Sequence, residues 1–149
     1  MYAAVLGLHN LLRWVVLFLA AWALFRGYSG WMRDRPWSGL DRQAGLVFSI
    51  VFDIQILLGL FLAFISPLVQ NVLVGVGAAM QAPHSRFFLI EHVPLMLLAL
   101  ILVHLGSSRS RNAPDDHTKH RRAAVMYTLG TLATVVAIPW WRALLPGLG

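Results

Sequence analysis

Four long apolar stretches alternate with short polar connectors along the chain. They run from about Val5 to Phe25, Ala44 to Ile65, Phe88 to Leu105 and Ala123 to Trp141. Each is close to the roughly 20 residues that a helix needs to cross a hydrocarbon core. In lipid an open chain satisfies its backbone polar groups only as a helix. The pattern predicts an all-α fold: an integral membrane four-helix bundle forming a single transmembrane domain over residues 1–149. Between the second and third stretches, Val69 to Met80 is apolar and glycine-rich but too short to span. It is expected as a short amphipathic helix on the outer surface or as a cap on the bundle. The connector from Ser107 to His120 is polar and contains Pro114-Asp115-Asp116. It predicts an exposed turn, with Asp115 or Asp116 at the N-terminus of the fourth helix.

Composition agrees with this pattern. Of the 149 residues 58% are hydrophobic and 12% charged, against about 25% charged in a soluble domain, and the mean hydropathy is +0.69. The first apolar stretch lacks a basic leader and has the length of a span rather than of a cleavable signal. There is no cysteine, which excludes disulfides, thiolate zinc sites, iron–sulfur clusters and covalent CxxCH haem attachment. The net charge of +6 resides mainly in connectors and implies a lipid bilayer, not nucleic acid, as the partner. Arg26, Arg33, Arg35 and Arg42 lie between the first two stretches. Arg109, Arg111, Lys119, Arg121 and Arg122 lie between the last two. Together they are nine of the 12 Lys and Arg residues. The positive-inside rule places both connectors in the cytoplasm, so both termini are expected outside. Trp31, Trp37, Trp140 and Trp141 fall at span ends, as in an interfacial aromatic belt.

Ionisable groups inside spans mark functional sites. His9 and His92 each stand about one turn into a helix from the external side, and two histidines at matched depth on different helices suit one haem iron ligated from both faces. The competing reading is a pair of interfacial histidines bonded to water. Arg13, one turn below His9, and Arg86, just outside the third helix, are candidate partners for haem propionates. His104 lies twelve residues after His92, about 18 Å further along the helix. With His120 as partner it would make a second, deeper haem site; otherwise His120 belongs to a basic cluster anchored at headgroups. Asp53 and Gln55 sit near the middle of the second span. Asp53 is expected to orient a ligand histidine, to serve a quinol or proton site, or to bond a neighbouring helix. Met96, one turn after His92, is in principle a haem ligand but is expected to pack.

The residues His9 with Leu12-Arg13-Trp14, Leu40-Asp41-Arg42, Asp53-Ile54-Gln55-Ile56-Leu57-Leu58-Gly59, Arg86-Phe87-Phe88, Glu91-His92, His104, Lys119-His120-Arg121-Arg122 and Ile138-Pro139-Trp140 resemble a group of small bacterial four-helix membrane proteins described as cytochrome-b-like. The resemblance covers most of the chain. It implies haem b carried at His9, His92, His104 and His120, a place in the bacterial inner membrane, and electron exchange with quinone or a redox partner. The expected role is an electron carrier or oxidoreductase subunit, working in a larger redox complex or a homo-oligomer. The alternative is a non-catalytic accessory subunit of a respiratory or photosynthetic complex. A transporter ranks last, because no inverted repeat or broken helix pair is present.

Overall fold

The structure, a computed structural model, describes residues 1–66 and 75–142. Among these, four long helices carry the fold: α1 (Tyr2–Met32), α2 (Gly39–Ile65), α4 (Pro83–Arg111) and α5 (Asp116–Ala137). A short helix, α3 (Val76–Gln81), precedes α4. Of the segment predicted as an outer-surface or capping helix, residues 69–74 lie outside the described residues. No strand occurs among the described residues.

The helices outrun the apolar stretches because local signals, not hydropathy, set their ends. α1 closes in a Schellman arrangement: Asp34 takes the left-handed conformation at φ 47°, and Arg35 N–H reaches back to Gly30 O at 3.0 Å. Pro36 follows. α2 opens with a capping box, in which Asp41 Oδ2 accepts from Ser38 N at 2.8 Å and from Ser38 Oγ at 2.6 Å. α5 opens on Asp115, whose Oδ1 accepts from Thr118 N at 2.7 Å, as the sequence predicts. It closes at Ala137, because Pro139 forces Ile138 into an extended conformation (φ −71°, ψ 128°).

Inside α4, Phe87–His92 forms a π-helical segment. Val93 N–H bonds Phe88 O, five residues back. The cause stands next in the chain: Pro94 has no N–H to give to Ile90 and its ring crowds that carbonyl, so the preceding turn widens.

The four helices pack as a ring in which α1 and α4 each touch both α2 and α5. The short links make α1/α2 and α4/α5 antiparallel pairs. At one end Gly27 lies against Ala124 and Gly30 against the His120 ring. At the other, His9 approaches Gly59 and His92 bonds Ala137 O. The core is formed by Val16, Phe48, Phe52, Ala99, Val103 and Tyr127, with Phe48 edge-on to both Phe52 and Tyr127.

Three helices are long and apolar enough to cross a membrane: Tyr2–Met32, Gly39–Ile65 and Pro83–Arg111. α5, taken from the sequence as a fourth span, is not among them. Its first two turns hold Asp116, His117, Lys119, His120, Arg121 and Arg122, so its apolar length begins only at Ala123. The two basic connectors do share one end of the ring: His117 Nε2 lies 3.7 Å from Asp34 Oδ1, and the Trp37 and His120 rings are 4.8 Å apart. Trp37 therefore packs inward on His120. Trp140 and Trp141 are exposed.

Candidate functional site

At the opposite end the four helices splay around a cavity of about 490 Å³. Apolar side chains form most of its wall. His9 and Arg13 enter it from α1, Gln55 and Gly59 from α2, His92 and Met96 from α4, and Arg142 from beyond α5.

Each histidine has one ring nitrogen engaged. His92 Nδ1 donates to Ala137 O at 2.7 Å. That carbonyl is available because α5 ends there and its last C=O groups have no intrahelical donor. The bond fixes the Nδ1–H tautomer and leaves Nε2 as a lone-pair donor. His9 is held by Gln55, whose Nε2 lies 3.0 Å from His9 O and 3.3 Å from His9 Nε2. His9 Nδ1 and Gln55 Oε1 are buried with no hydrogen-bond partner among the described residues. Unsatisfied buried polar atoms are costly, and here two border one cavity. Gly59, one turn after Gln55, makes room for the ring: a Cβ there would stand 3.2 Å from His9 Cε1.

Two guanidinium groups border the same space. Arg13 is buried, with Cζ 5.4 Å from the Trp14 ring centre. Arg142 Cζ lies 5.3 Å from the Phe88 ring centre. Phe88 in the cavity wall meets His92 at 5.4 Å between centroids, and Phe87 nearby meets Trp141 at 4.5 Å, both edge-on.

The other residues singled out from the sequence are placed elsewhere. Arg86 is exposed and does not line the cavity. Asp53 Oδ1 and His104 Nε2 bond each other at 2.7 Å on the outer face of the ring, so Asp53 orients His104 and neither cavity histidine. His120 is fully buried at the basic end, under Gly30 and against Trp37, with the Arg35 and Pro36 carbonyls nearby. His104 and His120 are not brought together. Met96 is buried in the cavity wall. Arg142 was not singled out; its signal is an arginine just past the fourth apolar stretch, at the end that carries His9. Thr134 also lines the cavity, but its hydroxyl is used on Gly130 O at 2.8 Å.

Against known proteins, the chain matches no family model, no curated protein and no solved structure.

Proposed function

We propose that this chain is a membrane-embedded haem b protein that carries single electrons, with His9 and His92 as the residues that would hold the iron. The carrying observation is the shared cavity, lined by two histidines from helices on opposite sides of the ring: Ala137 O leaves His92 with a lone pair on Nε2, and His9 has Nδ1 without a partner among the described residues, where a lone pair would require Gln55 to accept from Nε2 through Oε1. Its fit to haem has three parts. The wall is apolar, as a macrocycle requires. The donor set is two neutral imidazoles, which suit haem iron. Two arginines border it and match two propionates in charge and planar geometry.

In this reading the chain's own groups do four things. The Ala137 carbonyl holds His92 in one tautomer and raises its basicity. Gln55 holds the His9 ring against Gly59. Arg13 and Arg142 neutralise carboxylates in a low-dielectric site. Phe88 packs edge-on against the His92 ring. Bound haem would supply reversible one-electron chemistry; quinone in the bilayer or a redox protein at the same end would be the exchange partner. With the three apolar helices spanning and the nine clustered cations inside, the cavity opens on the outer side of a bacterial inner membrane.

A purified membrane extract tests this directly. The expected result is a red protein whose Soret band shifts and sharpens on reduction, with one haem b per chain by pyridine haemochrome. His92→Ala and His9→Ala should each abolish the low-spin spectrum while the circular dichroism stays helical. A colourless protein purified from haem-replete cells overturns the reading.

A further inference from the structure

The outer face of α2 carries one polar side chain between Leu46 and Phe64 that is not buried, and it is ionisable. Asp53 stands near the middle of this 27-residue helix. It bonds His104 of α4 at 2.7 Å, yet the two side chains remain 40% and 51% exposed. In the membrane placement proposed above, on which this inference rests, that exposure is to hydrocarbon. Ionisable groups at such depth face protein, water or each other rather than lipid. The pair also keeps further polar capacity, because His104 Nδ1 and Asp53 Oδ2 make no hydrogen bond among the described residues.

Leu46, Ile50, Leu57, Leu60 and Phe64 are exposed. With Asp53 they are separated by four and three residues in turn, the 3.5-residue repeat of a two-helix seam in which one polar position sets the register. The other exposed positions of α2 between Leu46 and Phe64 are Val47, Ile54 and Phe61, on the adjacent stripe about 100° round the helix from Asp53. All copies insert in one orientation, so a two-fold axis along the membrane normal, set between α2 and α4, would turn the α2 stripes of two copies towards the axis with each Asp53 facing His104 of the other copy. A donor and an acceptor side by side are complementary to the same pair rotated by that axis. We propose that two copies of this chain associate through this stripe of α2, with the Asp53–His104 pairs meeting at the axis and fixing register.

The absence of cysteine makes a clean test. Single substitutions Leu46→Cys, Ile50→Cys, Leu57→Cys, Leu60→Cys and Phe64→Cys are made beside Val47→Cys, Ile54→Cys and Phe61→Cys, and each is oxidised in native membranes. Covalent dimers are expected at the first five positions, at least fivefold above the last three. Equal yields on both stripes, no dimer, or cross-links only to another polypeptide overturn the proposal. Release of the chain by carbonate washing would instead refute the membrane placement, and haem content is read separately on the same variants.

Discussion

At the scale of single residues, the two histidines of the cavity are alike in chemistry and unlike in support. His92 is tied to a helix C-terminus, through a carbonyl that needs a donor. His9 is tied to a side-chain amide and depends on the missing side chain at position 59. That dependence can be tested: Gly59→Leu places four carbons where His9 Cε1 would be 3.2 Å from the first of them. Overpacking of this kind costs about 1–3 kcal/mol or displaces the neighbour. The expected outcome is at least a tenfold loss of haem occupancy with helicity retained. Gly39→Ala, where nothing lies within 4 Å, should leave both unchanged. Full occupancy in Gly59→Leu would show that His9 does not need its present position. The histidine pair was legible in the sequence because depth along a helix is countable. Gln55 and Arg142 were not, because their roles depend on rotation about the helix axis and on a turn after α5. Asp53 and Gln55, two residues and about 3 Å apart in depth, point about 200° apart, one outward and one into the cavity.

At the scale of elements, the π segment is the least expected feature and the one closest to the site. Six residues, Phe87–His92, give up α-helical register to accommodate Pro94, and His92 is the last of them. Pro94→Ala restores an N–H and removes the crowding of Ile90 O. The segment then gains a reason to tighten, which turns His92 off the Ala137 carbonyl. Loss of such an orienting bond lowers metal affinity by about 10- to 100-fold in known sites. Haem affinity is expected to fall by at least the lower figure, measured by titration of haem into the apoprotein, while thermal stability stays level or rises. An unchanged affinity would separate the proline from the geometry of His92. Pro94 was visible in the sequence, but apolar periodicity does not distinguish a widened turn from an ordinary one.

The basic end supports a second element-scale prediction. His120 seals α5 against Gly30 and Trp37, and its burial holds the imidazole below its ordinary pKa of 6.5. The folded state therefore keeps His120 neutral, whereas the unfolded chain takes up a proton near pH 6.5. Stability from this residue is complete above that pH and is lost as the pH falls below it towards the folded value. The limiting slope is about 1.4 kcal/mol per pH unit. The unfolding temperature in detergent should decline between pH 6.5 and 5, and His120→Asn should flatten that decline. An equal decline in the variant would assign it to other groups.

At the scale of the whole molecule, the chain divides its cations by end, and this division links fold to function. Nine of the 12 Lys and Arg residues gather where α1 meets α2 and α4 meets α5. There Arg26 and Arg35 bind Asp41 at 2.8 and 2.7 Å, and Arg122 caps Arg109 O at 3.3 Å. The remaining three are Arg13, Arg86 and Arg142, all at the histidine end, and two of them border the cavity. In the orientation proposed above these cations run against the positive-inside bias, and haem propionates would offset the two that border the cavity. The helical class and the common end of the two basic connectors were legible because hydropathy and loop charge are one-dimensional signals. The ring order and the cavity were not, because they arise from glycine contacts such as Gly27 on Ala124 and Gly130 on Val103 that no periodicity encodes. The orientation itself is open to experiment, since any introduced cysteine is the sole one. Asn112→Cys, in the turn between α4 and α5, should resist a membrane-impermeant maleimide in intact spheroplasts and react after lysis. His84→Cys, beside Trp141 at the end of the ring that carries the cavity, should react in intact spheroplasts. The reverse pattern would put the cavity on the cytoplasmic side, and the proposed exchange partner would then have to be a cytoplasmic one.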